Sequence, residues 1–183
     1  CIPSSVYFRK AMRALCFLLL FIVTFCMKAQ DGERKVLPYR PGAEVHDELT
    51  LLVGYHQGNE GFAELGIGRD IYGIVHHPFG FGYHLGSEVR VDRPELFGVK
   101  VGVYVTGGVA MGVQLIQYFE PGEGCTALRP EIGIGIFKAK LTYAYNIGLA
   151  SDRLPGINTH MLSLTYALRM LRLPGDVAER PLH

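Results

Sequence analysis

The feature that most constrains this chain is an alternation of apolar and polar residues, which recurs in eight segments between residues 47 and 171. Successive side chains of a β-strand point to opposite faces, so an alternation with a period of two predicts strands. From Asp47 onward no segment keeps apolar residues at helical spacing for two turns. The chain is therefore predicted to be all-β, with strands at 48–56, 62–68, 81–91, 97–105, 109–118, 130–137, 139–147 and 160–168.

The two faces of these segments differ in their residue types. One face carries large apolar side chains, such as Val99, Val101 and Val103, while the other carries charged, small and glycine residues. Strand glycines weaken a strand, so a glycine-rich outer face is unexpected in a soluble sandwich. A narrow barrel of eight strands, by contrast, has room inside only for side chains. We therefore predict an eight-stranded antiparallel up-and-down β-barrel over residues 47–171, with its polar face inside. A soluble fold with the apolar face inside is the alternative.

The predicted interior face carries equal numbers of acidic and basic side chains. Charges removed from water are tolerated only when they are paired, so these groups are expected to form ion pairs that fill the barrel. A filled barrel of eight strands leaves no aqueous channel, and a pore is not expected. The predicted interior polar network comprises Glu48, Glu64, Glu88, Arg90, Lys100, Glu131, Lys140 and Arg169.

The region before the barrel has the features of a secretory signal peptide. Met12 and Arg13 precede a run of 14 apolar residues (ALCFLLLFIVTFCM), and Ala29 offers a cleavage site. The run is shorter than the roughly 20 residues that a membrane-spanning helix needs, which favours a cleaved signal over an anchor. Lipid attachment at Cys26 is a further alternative, disfavoured because Phe25 stands where a small residue is required. We assign 1–11 to an upstream segment, 12–29 to the signal peptide, 30–46 to a linker and 172–183 to a tail.

Loss of residues 1–29 would change the charge and the cysteine content of the chain. It removes four of the 18 basic residues and none of the 17 acidic ones, which leaves 14 against 17 and a net charge of −3. No basic field for nucleic acid remains. Cys125 is the one cysteine left, so no internal disulfide is expected.

The predicted connections differ in length on the two sides of the barrel. Short links at Gly107 and Gly108 and at Lys138 are typical of periplasmic turns, and longer links at 119–129 and 148–159 are typical of outer loops. A first strand that rises from the periplasm puts these links on the expected sides. The link at 69–80 is long for a turn, unless the second strand extends to residue 74.

This arrangement resembles the small eight-stranded outer-membrane barrels, the OmpA/OmpX-like proteins. The runs RPEIG (129–133), YAYN (143–146) and GINTH (156–160) also resemble short, mostly uncharacterised exported barrel proteins. The resemblance implies a location in the outer membrane of a Gram-negative bacterium, with outer-membrane lipid and the barrel-assembly machinery as partners. The periplasm is the alternative location. The last strand departs from the family pattern, because it ends in Leu168-Arg169-Met170-Leu171 rather than in an aromatic residue.

Residues that could carry chemistry do not assemble into a site. His160 and Ser163 share the last strand but point to opposite faces, so the histidine cannot activate the serine as a nucleophile. His84 and Glu88 are about 13 Å apart along their strand, too far for joint metal ligation. We therefore expect no catalytic, cofactor-binding or metal-ligating residues and no enzymatic activity.

Three functions are compatible with such a chain. The favoured one is an outer-membrane barrel with a structural role or a surface-binding role through its outer loops. The first alternative is a soluble exported barrel that holds a small apolar ligand, which would require large apolar residues to face inward. The second is a lipid-modifying outer-membrane enzyme, which the missing nucleophile–base pair disfavours.

Overall fold

A computed structural model describes residues 44–74, 77–121, 123–150 and 156–173. The predicted upstream segment and signal peptide, residues 30–43 of the predicted linker, and the tail from residue 174 lie outside them. Every regular element among the described residues is a strand, as predicted. None of these residues forms a helix that could cross a membrane. The strands are β1 (Glu44–Gln57), β2 (Gly61–Ile74), β3 (Pro78–Arg90), β4 (Phe97–Glu120), β5 (Glu123–Ile136), β6 (Ala139–Tyr145), β7 (Ile147–Ala150) and β8 (His160–Arg172).

The strands close into a barrel in which all neighbours run antiparallel. β1 pairs with β2, β2 with β3, β3 with β4, β4 with β5, β5 with β6, β6 with β8, and β8 returns to β1. β6 and β7 both pair with β5, one after the other along its length, so together they form one strand of the barrel.

β4 supplies two of the eight barrel strands. Its residues 97–106 pair with β3, and its residues 108–120 pair with β5. A closed ring of antiparallel neighbours needs an even number of strands, so β4 reverses direction between these two arms. Gly108 makes the reversal possible with a φ of 88°, which glycine adopts without strain. A Cβ on Gly98 would lie 3.0 Å from Ile116 across the hairpin, as two adjacent arms require. The eight-stranded antiparallel barrel predicted from the sequence is confirmed.

The barrel buries its polar face and exposes its apolar face. In the first arm of β4, Lys100 and Tyr104 are buried, whereas Val103 on the other face is 43 % exposed. Ile134 of β5 and Leu164 of β8 are 65 % and 60 % exposed. Charged and hydrogen-bonding side chains occupy most of the interior.

The two ends of the barrel differ in their connections. At one end, here named the loop end, the strands are joined by residues 58–60, 91–96, 121–122 and 151–159. At the other, the turn end, they are joined by 75–77 and 137–138 and by the reversal within β4. An apolar cluster lies inside the barrel near the loop end and consists of Phe62, Leu96, Ile116, Tyr118, Cys125 and Ala127, with Ile157 packed against it.

Two predicted connections are shorter in the structure. The predicted outer loop at 119–129 is wrong, because β4 continues to Glu120 and β5 begins at Glu123. β2 extends to Ile74, so the link that follows it comprises residues 75–77. In both places the ladder with neighbouring strands continues through glycines that weaken a strand but do not end it.

Pro130 accounts for the break between β6 and β7. β5 pairs with β6 from Glu131 onward and with β7 up to Leu128, so the ladder is interrupted at Pro130. Proline has no N–H to donate to a neighbouring strand. On the other side of this strand, the Asn146 N–H donates to the carbonyl of Thr159 at 2.9 Å, one step beyond the last pair of β6 and β8, Tyr145 and His160. This bond ties the residue before β8 to the barrel wall.

Candidate functional site: a buried charge network

The charged side chains of the interior form three clusters, and the largest is centred on Glu88 of β3. Arg129 donates hydrogen bonds to both carboxylate oxygens of Glu88, each at 2.7 Å. Lys100 donates to the same carboxylate at 2.9 Å, and the Tyr118 hydroxyl does so at 2.5 Å. These four residues are at most 1 % exposed. Burial of this depth requires each charge to find its partner inside the protein.

Lys100 also joins Glu88 to Glu64 of β2. Its Nζ lies 2.8 Å from one oxygen of Glu64, and Nε2 of His56 lies 2.8 Å from the other. With His56 counted as neutral, the two carboxylates balance the two cations Lys100 and Arg129. The cluster is therefore electrically neutral and connects side chains from β1 to β5.

The second cluster surrounds Glu131 of β5. Lys140 donates to its carboxylate, and so do Gln114 at 3.2 Å and Thr142 at 3.3 Å. The Lys140 ammonium lies 4.5 Å from the centroid of the Tyr104 ring. This cation is thus held by a carboxylate and by an aromatic face, and an aromatic face adds about 2 kcal/mol when the cation is desolvated.

The third cluster lies toward the turn end. Glu48 accepts hydrogen bonds from Lys138 and, at 3.0 Å, from the Tyr72 hydroxyl. Asp70 accepts one from the Tyr104 hydroxyl. Lys138 belongs to the turn between β5 and β6, so this turn supplies the cation for a carboxylate of β1.

The structure places most of the predicted network inside the barrel. Each residue in this group is at most 5 % exposed and lies in one of the three clusters: Glu48, Glu64, Glu88, Lys100, Glu131 and Lys140. Two cations outside the predicted set complete the clusters: Arg129 binds Glu88, and Lys138 binds Glu48.

Arg90 lies at the rim rather than in the interior network. It is the last residue of β3 and forms ion pairs at 2.7 Å with Asp92 and at 2.7 Å with Glu60. Its hydrogen bond to Asp92 is the main cause that lowers the pKa of that exposed carboxyl below its usual value. Arg90 thus connects two loops instead of filling the barrel.

Arg169 lies at the edge of the network, with a side chain that is 51 % exposed. It forms a long ion pair with Glu48, at 3.8 Å. β6 stops pairing with β8 at Tyr166, so Arg169 lies beyond the end of that neighbour. A register shift between β8 and β1 at the same level adds to the irregularity. Beside Arg169 β8 therefore has β1 as a neighbour, through Thr50, but no longer β6.

Arg129 is the main residue that the sequence interpretation missed. The sequence predicts a loop at 119–129 and a strand that begins at Pro130, so Arg129 falls in the predicted loop. Its spacing of two from Glu131 places it on the same interior face, and this alternation was the available signal. The residue is fully buried.

Other polar groups of the interior offer no reactive arrangement. Ser163 is buried and His160 is exposed, so the two lie on opposite faces. His84 is buried, and neither ring nitrogen has a hydrogen-bond partner among the described residues. Within the same residues no group of three or more His, Cys, Asp or Glu could hold a metal ion.

The interior near the loop end contains a cavity of about 20 Å³, lined in part by Cys125, Asn146 and Ile157. Such a volume accommodates about one water molecule. The carboxylates of the network are engaged in ion pairs. Comparisons of the chain with protein families, with curated proteins and with solved structures find no match.

Proposed function

We propose that this chain is a small outer-membrane β-barrel protein with a structural role or a surface-binding role through its loop end. The observation that carries the proposal is the inversion of the usual arrangement: charges are inside and large apolar side chains are outside. Lipid tails are apolar and can surround such an exterior. A closed barrel also pairs the backbone N–H and C=O groups of all its strands with one another, as the membrane interior requires.

The apolar exterior is too extensive for a protein surrounded by water. Contiguous apolar patches on soluble monomers rarely exceed a few hundred Å². Here the outward faces of adjacent strands are apolar around the barrel, as in Leu65, Leu85, Val103, Ile132 and Leu164, all more than 40 % exposed. Full burial of an apolar side chain stabilises a protein by about 1.5–3 kcal/mol, and in water each of these half-exposed side chains would lose roughly half of that.

The height of this exterior supports a bilayer as its surroundings. The outward residues of 97–105 span eight residue steps, and at about 3.3 Å per step and a tilt of about 40° they form a belt about 20 Å high. Outer-membrane barrels have an apolar band of about 25 Å. Toward the turn end the belt gives way to Arg69, which forms an ion pair with Asp47 at 2.6 Å. Toward the loop end it meets Tyr143 and His160, which share a hydrogen bond.

The filled interior argues against two other functions. Eight strands whose lumen holds three ion-paired clusters leave no path for solutes, so a pore is disfavoured. A carrier of a small apolar ligand needs an apolar cavity, whereas the interior of this barrel is mostly polar. The surface available for a partner is therefore the loop end, while outer-membrane lipid and the barrel-assembly machinery are the partners that the family resemblance implies.

Cell fractionation followed by electrophoresis tests the proposal. We expect the protein in the outer-membrane fraction, with a mobility that changes on boiling because the folded barrel resists detergent. A periplasmic protein and a known outer-membrane protein serve as fraction controls. Recovery with the periplasmic control and an unchanged mobility would contradict the proposal.

A further inference from the structure

The segment 156–159, named here the strap, crosses the loop end just before β8. Ile157 packs against the apolar cluster inside the barrel, and Asn158 is only 3 % exposed. Cys125, also 3 % exposed, lies in the same cluster and lines the small cavity together with Ile157 and Asn158. The strap therefore covers the interior at this end.

Asn158 fastens the strap to the turn between β1 and β2. Its Oδ1 accepts a hydrogen bond from the backbone N–H of Glu60 at 2.9 Å, and its Nδ2 donates to the carbonyl of Glu60 at 2.6 Å. One side chain thus satisfies both backbone groups of Glu60, as a neighbouring strand would do. The connection spans 98 residues of sequence.

A second set of hydrogen bonds fastens the strap to the charge network. Asn146 donates from Nδ2 to the carbonyl of Asn158 at 2.7 Å and accepts at Oδ1 from Arg129 at 2.8 Å. Arg129 in turn holds Glu88. A continuous series of hydrogen bonds therefore runs from the β1–β2 turn through the strap to the interior.

Glycine at two positions allows the strap to come this close. A Cβ on Gly58 would lie 2.5 Å from Cγ of Asn158 and 2.5 Å from the carbonyl oxygen of His160. Gly156 begins the strap with a φ of 99°, which favours glycine. The close fit depends on the absence of a side chain at Gly58.

We infer that the strap is a closure of the loop end, with Asn158 as the positioning residue that holds it shut over Cys125 and the apolar cluster. Release of Asn158 from Glu60 lifts Ile157 from the cluster and gives solvent access to the Cys125 thiol. The inference depends on the fold and not on the proposed membrane location.

The accessibility of Cys125 measures this closure directly. Full-length protein refolded in detergent micelles is treated with a maleimide, and modification of the peptide containing Cys125 is followed by mass spectrometry, so the cysteines before residue 30 do not interfere. We expect slow modification in the wild type and a rate about tenfold or more higher in Asn158→Ala, because two partly buried hydrogen bonds are lost. Asn158→Asp keeps the acceptor and loses the donor, and we expect an intermediate rate.

Two further variants make the result specific. Gly58→Ala crowds Asn158 without removing it and should also raise the rate. Asn59→Ala changes an exposed residue of the same turn and should leave the rate at the wild-type value. Far-ultraviolet circular dichroism verifies that every variant is folded, whether or not the barrel spans a membrane. A folded Asn158→Ala protein whose Cys125 reacts at the wild-type rate, or a wild type that reacts as fast as unfolded chain, would overturn the inference.

Discussion

Replacement of Arg129 by methionine tests whether the interior charges hold the barrel together. The change removes a fully buried cation that donates twice to Glu88 at 2.7 Å. Lys100 then has to serve both Glu88 and Glu64, and the cluster is left with one negative charge in excess. Loss of one partner of a buried ion pair costs about 3–5 kcal/mol, and we expect the free energy of unfolding to fall by this amount.

Urea unfolding of the refolded protein in detergent micelles measures the loss. The chain has no tryptophan, so the transition is followed by circular dichroism and by the fraction with folded mobility on an unboiled gel. The matched control is Arg93→Met in the connection 91–96, where the arginine is 44 % exposed and forms ion pairs with Glu95 at 3.1 Å and with Glu120. Ion pairs of an exposed arginine contribute about 0–1 kcal/mol each, so the control should lose much less stability than Arg129→Met.

A double variant separates the loss of an ion pair from the loss of packing. Combining Arg129→Met with Glu88→Met leaves Lys100 and Glu64 as a balanced pair, and replacement of a buried pair by apolar residues is often neutral. The double variant should therefore be more stable than Arg129→Met alone. An Arg129→Met protein within 1 kcal/mol of the wild type, or a double variant with the sum of the two single losses, would refute the reasoning.

Three further predictions concern other parts of the barrel. Glu131→Leu should lower the free energy of unfolding by about 3–5 kcal/mol, because it leaves Lys140 as an unpaired buried cation; an unchanged urea midpoint would mean that residue 131 faces water. Ile132→Arg, at the middle of the outward face of β5, should cost about 2–4 kcal/mol in lipid vesicles if the barrel spans them, whereas a surface substitution in a soluble protein stays within about 0.5 kcal/mol. Gly133→Ala should cost about 1–3 kcal/mol, since its Cβ would lie 2.6 Å from the Cα of a residue on β6. Gly148→Ala is its control, because nothing among the described residues lies within 4 Å of that Cβ, and equal unfolding midpoints for the two variants would contradict the steric argument.

Alternation predicted the strand count and the division into two faces, because both follow from the geometry of an extended backbone. Leu65 and Ile67 share one face and Glu64 the other in the sequence and in the structure alike. The glycine-rich character of the polar face also indicated a narrow interior correctly. Gly66 and Gly86 face each other across β2 and β3, where a Cβ on either would lie within 3 Å of the opposite backbone.

Strand ends and ion-pair partners are harder to predict. They depend on which strands lie side by side, and the alternation within one segment does not specify this. Pro130 interrupts only the ladder toward β6 and β7, while pairing with the second arm of β4 continues through it. The predicted strand 130–137 therefore begins too late and leaves Arg129 in the predicted loop 119–129. Arg169 alternates correctly with the interior residues of β8, yet its exposure depends on where β6 ends, which only the assembled sheet determines.

The origins of the ion-pair partners bear on how the barrel assembles. Glu64, Glu88, Lys100 and Arg129 come from four consecutive segments of the chain, and none has all its partners until the others are in place. Glu48 of the first strand accepts its hydrogen bond from Lys138, which lies 90 residues later in the sequence. A partly formed sheet would carry unpaired charges on its inner side. Such intermediates are therefore little more stable than the unfolded chain until the barrel closes. The network thus favours an all-or-none closure, in which the turn between β5 and β6 neutralises the carboxylate of the first strand.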